Sequence, residues 1–268
     1  MKAYCLIREG PHYRHDAFVD GLRAVGYAVT NARPDARRHD NDVLVLWNRY
    51  GDFDRLATQF AGLGGRVIVA ENAYCAPKDA QGNPTMYAIS LDGHNGSGVW
   101  FPGDGSRFAA LGLTPQPWQD NPDGHILICG QRGIGSPRMA SPPGWHDAMA
   151  RKLATLTKRR IVVRHHPEGP NPPKTSLAEH MAGAWAVVIW SSASGIAALL
   201  AGIPVYYDAP RWICEHAASR PWPFGAGTIS TEKRLAALQS MAWAQWSLDE
   251  IRAGAPFRHL LQSEAVTV

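Results

Sequence analysis

Trp185–Ala209 reads Trp-Ala-Val-Val-Ile-Trp-Ser-Ser-Ala-Ser-Gly-Ile-Ala-Ala-Leu-Leu-Ala-Gly-Ile-Pro-Val-Tyr-Tyr-Asp-Ala. Apolar runs at 186–190 and 204–207 predict two buried strands, and the small residues at 196–201 between them predict a helix. A strand, a helix and a second strand joined by short connections form a βαβ unit, in which the two strands lie parallel in one sheet. This stretch therefore predicts an open α/β sheet.

A serine-rich turn at 191–195 joins the first of these strands to the helix. Ser191, Ser192 and Ser194 would bring three hydroxyl groups to the carboxyl end of the strand, and Gly195 would open the helix that follows. Backbone N–H groups and the helix dipole favour anions at such a point, phosphate above all. The turn therefore predicts a phosphate site, and the alternative is that Ser192 only caps the helix.

A second apolar strand, predicted at 160–165, is followed by His166-Pro167 and then by the proline-rich residues 170–173. A His-Pro pair at a strand end, followed by a helix and then by strand, Ser-Ser, helix and Gly-x-Pro-Val, resembles the nucleotide-binding half of GT-B glycosyltransferases. The similarity covers residues 124–210 and is greatest to bacterial sialyltransferases and capsule-polysaccharide transferases. It implies that His166 with Pro167, and Ser191 with Ser192, hold the phosphate and nucleotide of a sugar donor.

Strands alternate with helices along the rest of the chain, which predicts parallel sheets with helices on both faces. The first half contains predicted strands at 3–7, 27–30, 42–47, 66–70 and 86–91, and the second half starts a new sheet at 125–129. We therefore expect two facing Rossmann-like domains of the GT-B kind. Residues 1–118 would form the acceptor-side domain and 119–233 the nucleotide-sugar domain. Two helices predicted at 234–246 and 248–261 belong to a segment, 234–268, that would cross back to the first domain.

Composition is that of an ordinary globular protein. The 268 residues are 45% hydrophobic and 19% charged, with a formal net charge of +4. The four widely spaced cysteines show no zinc or disulfide pattern. The first residues show neither the long apolar core nor the cleavage site of a signal peptide, and no apolar run approaches the length of about 20 residues that spans a bilayer. The sequence thus predicts a cytoplasmic protein without a membrane span, in the host cytoplasm if the protein is phage-encoded.

A glycine-rich loop follows the strand at 125–129 and begins with Gly130 and Arg132. Glycine lets a phosphate or sugar approach the backbone closely, so both residues are predicted to contact the donor. The loop matches neither the dinucleotide fingerprint nor the P-loop. Glu215, after the last strand of the βαβ unit, is predicted to accept hydrogen bonds from the donor ribose. An exposed helix position is the alternative for Glu215, and a solvated loop cation the alternative for Arg132.

Transfer of a sugar also requires a base for the acceptor hydroxyl. Asp92 is the first choice, because Leu91-Asp92-Gly93 partly resembles the acidic motif that supplies the base in sialyltransferases, although Leu91 stands in place of its first acid. Glu71, at the predicted end of the fourth strand, is the second choice, because carboxyl ends of parallel strands face the binding crevice. Asp104 is the third.

Together these features predict a metal-independent, inverting glycosyltransferase with a UDP- or CMP-linked sugar as co-substrate and no other cofactor. Asp-x-Asp occurs at 40–42 and at 52–54, but we expect neither to be the metal-binding motif of metal-dependent glycosyltransferases. The tail, residues 241–261, resembles proteins encoded by bacteriophages, which favours a hydroxymethylated base of phage DNA as acceptor. Double-stranded DNA would then contact basic loop residues, among them Arg49 and Lys78. The alternatives are a cell-surface glycan as acceptor, a sugar-nucleotide epimerase, and a non-enzymatic module that binds nucleotide or DNA.

Overall fold

The structure of the protein is a computed structural model that describes residues 1–76, 78–136, 139–169, 171–225 and 229–262. The elements of the first part of the chain are β1 (Lys2–Cys5), α1 (His15–Ala24), β2 (Ala28–Thr30), β3 (Val43–Trp47), α2 (Asp52–Gly62), β4 (Arg66–Asn72) and β5 (Met86–Leu91). The central part contains α3 (Ser106–Ala110), β6 (His125–Cys129), α4 (Trp145–Ala154), β7 (Ile161–Arg164), α5 (Leu177–Met181), β8 (Ala184–Ile189), α6 (Ser194–Leu200) and β9 (Val205–Tyr207). The last elements are α7 (Thr231–Ala242), β10 (Gln245–Ser247), α8 (Leu248–Arg252) and α9 (Ala255–Gln262).

The chain divides into two compact units. Unit 1 comprises Met1–Asp104 together with the chain from Ser240 onward, and unit 2 comprises Gly105–Gln239. The predicted ranges 1–118, 119–233 and 234–268 differ from these bounds, because residues 105–118 belong to unit 2 and α7 contains the second boundary. Each unit is an α/β structure built on its own sheet, so the predicted pair of Rossmann-like domains is confirmed.

Unit 1 contains a six-stranded sheet in the order β10-β5-β4-β3-β1-β2. Alternate residues of β3 enter two separate cores. Val43 and Val45 pack with α1, α8 and α9 through side chains such as Phe18, whereas Leu44 and Leu46 pack against α2. A strand covered on both faces must be apolar throughout, which explains the continuous run Val-Leu-Val-Leu that β3 displays.

Unit 2 contains a four-stranded sheet in the order β7-β6-β8-β9, and every neighbouring pair is parallel. Helix α4 covers one face, where Trp145 and Met149 pack on Ile128 and Val188. Helix α6 lies on the opposite face, because the next residue of β8, Ile189, is the one that α6 contacts at its first turn. The predicted helices on both faces are thus confirmed.

Strand β5 runs antiparallel to β4, which corrects the expectation of a wholly parallel sheet in the first half. The physical reason lies in the connection at 73–85, which contains no helix within its described residues. A strand that runs parallel to the one before it needs a crossover connection, usually a helix. An antiparallel strand can follow directly through a hairpin. Within this connection Lys78 and Pro84 form an antiparallel bridge, as expected for a hairpin.

The two helices predicted after residue 233 are wrong in part, since β10 interrupts the first and Gly254 divides the second. The local sequence favours helix, but the Gln245 side chain is fully buried and its amide oxygen accepts the N–H of Tyr74 at 3.0 Å. This contact ties β10 to the connection after β4, and β10 pairs with β5, with Trp246 opposite Tyr87. Gly254 has φ of 75°, a conformation that ends a helix and favours glycine.

Helix α1 packs unusually closely on α8. A Cβ added at Gly21 would lie 1.8 Å from the Ile251 carbonyl oxygen and 2.8 Å from the Phe257 ring. We expect Gly21→Ala to lower the free energy of unfolding by about 1–3 kcal/mol, as for other overpacked sites. Gly62→Ala is the matched control, because Gly62 also lies in a helix and has nothing within 4 Å of its Cβ position.

Urea unfolding followed by circular dichroism measures both variants. Gly62→Ala should be neutral or slightly stabilising, because alanine favours helix. Equal midpoints for the two variants would contradict the close contact between α1 and α8.

Candidate functional site

In the sheet of unit 2, the order in which successive strands are added changes sides between β6 and β8. From β6 the chain continues to β7 on one side, and from β8 it continues to β9 on the other side. The loops after β6 and β8 therefore diverge, and open α/β sheets bind ligands in the crevice at such a switch point. Gly130, at the start of the first loop, and the Ser191–Gly195 turn of the second both lie at this edge.

Gln131 joins the two diverging loops. Its side-chain oxygen accepts the backbone N–H of Ser191 at 2.7 Å, and its amide nitrogen donates to the Ser191 hydroxyl at 3.3 Å. The Ser191 hydroxyl also donates to the Met139 carbonyl at 3.1 Å. Sequence reasoning missed Gln131, although a long amide directly after a strand end and a glycine was the available signal.

The three serines have different roles. Ser191 is 3% exposed, and its hydroxyl is engaged by the neighbouring loops. Ser192 is half-buried, and its oxygen accepts both the N–H of Ser194 at 3.2 Å and the Ser194 hydroxyl at 2.9 Å. Ser191 therefore shapes the turn, whereas Ser192 and Ser194 are only partly buried and their hydroxyl groups bond to each other.

His166 is held by the turn that follows β7. The N–H of Gly169 donates to the His166 carbonyl at 2.9 Å, which closes a β-turn with Pro167 at its second position, where proline is favoured. Within this turn the N–H of Glu168 donates to Nδ1 of His166 at 3.1 Å. Because Nδ1 accepts, the neutral ring carries its proton on Nε2, and His166 offers a single N–H donor.

The charge at this edge favours the neutral form of His166. Desolvation, and then repulsion by Arg132, lower the pKa of His166, while Glu168 acts in the opposite direction. Arg132 itself forms an ion pair with Glu168 at 2.5 Å, with 43% and 68% of the two side chains exposed. The predicted Arg132 is thus a paired cation that joins the loops after β6 and β7.

The two predicted glycines, Gly130 and Gly195, lie at the same end of the sheet as Glu215, but their surroundings differ. Gly130 donates its N–H to the Arg164 carbonyl at 2.8 Å, and a Cβ there would touch that oxygen at 3.4 Å. A Cβ on Gly195 would lie 2.6 Å from Ile189 and 2.8 Å from Trp212, so Gly195 permits close packing of α6 on the sheet.

Glu215 begins a short 3₁₀ turn after β9. One carboxylate oxygen pairs with Arg211 at 2.8 Å, and the other lies 3.4 Å from both the Tyr207 hydroxyl and the Trp212 N–H. With 14% of its side chain exposed, Glu215 is a half-buried carboxylate at the rim of the strand ends.

Glu71 lies at the carboxyl end of β4 in unit 1. Its Oε2 accepts from the Asn48 amide at 2.6 Å, and its Oε1 accepts the N–H of Asn72 at 2.9 Å. Asn48 is itself fixed, because it is 7% exposed and its N–H donates to the Ala70 carbonyl at 2.9 Å. The side-chain oxygen of Asn48 also accepts the N–H of Arg49 at 2.6 Å, within a backbone of φ 60°. Hydrogen bonds to both carboxylate oxygens therefore fix the orientation of Glu71.

Asp92 lies elsewhere, because β5 is antiparallel. Its N–H donates to the Val67 carbonyl near the start of β4, four residues before Glu71. At about 3.3 Å per residue this separates Asp92 from the level of Glu71 by about 13 Å. Asp92 therefore lies near the start of β4, whereas Glu71 lies near its end.

The predicted acceptor-side cations, Arg49 and Lys78, have different surroundings in unit 1. Arg49 pairs with Asp54 at 2.8 Å and donates to the Asp92 carbonyl at 2.6 Å. Lys78 is exposed on the hairpin before β5. Asp104, the third choice of base, accepts the indole N–H of Trp243 at its carbonyl, at 2.9 Å.

Among the residues that the structure describes, no group of three or more histidine, cysteine, aspartate or glutamate side chains could hold a metal ion. Within the same ranges no helix combines the length and apolar character required to cross a membrane.

Two solved structures resemble the whole fold. One is KpsC of Thermosulfurimonas dismutans, described as a beta Kdo 2,7 transferase, with a TM-score of 0.58, 12% identity, and coverage of 96% of this chain and 99% of that one. The other, the beta Kdo 2,4 transferase of the same KpsC, has a TM-score of 0.55 at 12% identity, covering 87% and 88%. At this identity the likeness is one of fold, and the fold is of the GT-B kind. No family model and no curated protein sequence matches the chain.

Removal of the charge on Arg132 should raise the pKa of His166. Arg132→Gln eliminates a repulsion that opposes ring protonation, and Glu168→Gln should have the opposite effect on the pKa. Titration of the histidine rings by NMR measures both shifts.

Arg151→Gln is the matched control, since it removes the same charge from α4 and Arg151 does not act on His166. An unchanged His166 titration in Arg132→Gln would contradict the proximity of these two side chains.

Proposed function

We propose that the protein is a glycosyltransferase that moves a sugar from a nucleotide-sugar donor to a hydroxyl of a glycan. The observation that carries the proposal is the set of neutral donors at the switch point of unit 2, where Gln131 holds the loops after β6 and β8 together. The likeness of the fold to two Kdo transferases supports it.

In this proposal the phosphate of the donor binds at the turn after β8. Ser192 and Ser194 supply hydroxyl groups, and His166 supplies its Nε2 proton from the turn after β7. Donors that are fixed before the reaction stabilise the charge that develops on a departing phosphate. Glu215 would accept a ribose hydroxyl, and the nucleotide is CMP or UDP.

Glu71 is the proposed base. As the acceptor oxygen forms a bond with the anomeric carbon, its proton passes to the Glu71 carboxylate. The bond from that carbon to the phosphate oxygen breaks, and the electron pair leaves with the phosphate. Two hydrogen bonds orient Glu71, from Asn48 and Asn72, whereas Asp92 lies at the level of Val67. A single displacement of this kind inverts the anomeric centre, which NMR of the product would show.

A glycan acceptor is favoured over DNA. Three of the basic residues that would follow a phosphate backbone are paired with aspartates, Arg37 with Asp42, Arg38 with Asp40, and Arg49 with Asp54. Both structural neighbours are Kdo transferases, and Kdo is a sugar. Duplex DNA with hydroxymethylated bases remains the acceptor to compare in the same assay.

Nucleotide binding tests the donor site. We expect CMP or UDP, in a panel with GDP and dTDP, to raise the melting temperature, because a ligand present at 100 times its Kd adds about 2.7 kcal/mol of stability. Gln131→Glu should abolish the shift, because it adds a negative charge at the phosphate site and removes a donor to Ser191. Gln59→Glu makes the same charge change on α2 and should keep the shift.

His166→Ala should weaken the shift as well. If no nucleotide stabilises the wild-type protein, the glycosyltransferase proposal is wrong.

The choice of base is tested by kinetics with the nucleotide that binds. Glu71→Gln should lower kcat by about 10²–10⁴ and leave the nucleotide-induced melting shift unchanged, as expected for loss of a general base. Asp92→Asn is the matched control and should keep most of its kcat. The reverse result, with Asp92→Asn inactive and Glu71→Gln active, would return the role to Asp92.

A further inference from the structure

The sheet of unit 1 has a switch point of its own. From β1 the chain continues through α1 to β2 on one side, and from β3 it continues through α2 to β4 on the other. The loops after β1 and β3 therefore diverge at the carboxyl ends of the strands. The general rule for open α/β sheets places a ligand crevice at this point as well.

Aromatic side chains from both loops meet there. Tyr13 and His12 come from the loop after β1, and their ring centroids lie 4.9 Å and 5.7 Å from that of Trp47, the last residue of β3. Tyr13 and Trp47 are only partly buried, and His12 is exposed. Tyr50, three residues after Trp47, is 45% exposed although it is a large aromatic residue. Aromatic faces that remain open to solvent suit the apolar faces of sugar rings.

Polar groups adjoin the aromatic cluster. The Tyr87 hydroxyl donates to the His12 carbonyl at 2.6 Å, which fixes this loop against β5. Asn48 follows Trp47 directly and holds Glu71 at 2.6 Å. The aromatic cluster thus lies at the end of β3, and the neighbouring strand β4 carries Glu71 near its own end.

A cation marks the same edge. Arg8 lies in the loop after β1, is exposed, and has its guanidinium 6.0 Å from the centroid of the Tyr13 ring. It forms no ion pair with any residue that the structure describes. A guanidinium beside an aromatic ring, with no ion pair among the described residues, favours a ligand that carries a carboxylate.

We infer that His12, Tyr13, Trp47 and Tyr50 form a subsite of unit 1 for an acidic glycan, with Arg8 as the partner of its carboxylate. The inference rests on the proposed function and names its acceptor class. Tyr50 stacks on a sugar ring, and Arg8 distinguishes acidic from neutral chains.

Direct binding measurements test the subsite. The probes are oligosaccharides ending in Kdo, sialic acid or glucuronic acid, each paired with its carboxyl-reduced form, together with a duplex DNA containing hydroxymethylcytosine. Wild-type protein should bind at least one acidic probe at least tenfold more tightly than its reduced form. Tyr50→Ala should weaken that binding at least tenfold, and Arg8→Gln should remove the preference for the acidic form.

Val99→Ala is the matched control, because Val99 is also 45% exposed in unit 1 but follows β5, and it should bind as the wild type does. All three variants should keep the nucleotide-induced melting shift. Three results would overturn the subsite if the wild-type protein keeps the nucleotide-induced shift: it binds no glycan, it shows no preference for the acidic form, or it binds the DNA alone. Each of these results would leave the proposed donor site unaffected. Absence of the shift instead counts against the proposed function.

Discussion

Both units depend on one topological constraint, the reversal of strand progression beside their first strand. In unit 1 the reversal lies between β1 and β3, and in unit 2 between β6 and β8. Parallel strands end at a common edge, and the reversal separates two neighbouring loops there, so side chains distant in sequence surround one crevice. The contact between Gln131 and Ser191, 60 residues apart, exists because of this arrangement. The cluster of Tyr13 and Trp47 has the same origin.

Features set by local pattern were predictable from the sequence. Buried strands such as β3, β6 and β8 are continuous apolar runs, and their bounds differ from prediction by at most two residues. Pro167 and Gly169 marked the turn that holds His166, because proline and glycine prefer defined turn positions. Elements decided by distant partners were not predictable. Strand β10 pairs with β5 and buries Gln245, which accepts the N–H of Tyr74, and β5 reverses because of the connection before it.

The two candidate bases illustrate the same division. Asp92 was selected from a short motif, and Glu71 from its position at a strand end. A motif of three residues gives no information on strand direction. Because β5 is antiparallel to β4, Asp92 lies beside Val67, four residues before Glu71 on β4. Asn48, which orients Glu71, had no sequence signal beyond its place after an apolar strand. A residue that orients a candidate base, as Asn48 does, is found only once the strand order is known.

Unit 1 combines an early and a late segment of the chain, which affects when it can fold during synthesis. Its core includes Trp246, Ile251, Phe257 and Leu260, which pack with Phe18 and Tyr87 from the beginning of the chain. Unit 2, by contrast, is one continuous segment, Gly105–Gln239. On the ribosome, unit 2 can complete its core once its own residues have emerged. The strands of the amino-terminal half must wait with one apolar face covered only in part, by α1, until translation reaches α9. The order of folding is therefore the reverse of the order in which the two sheets begin in the sequence, and the first-made strands are the ones most in need of protection from aggregation.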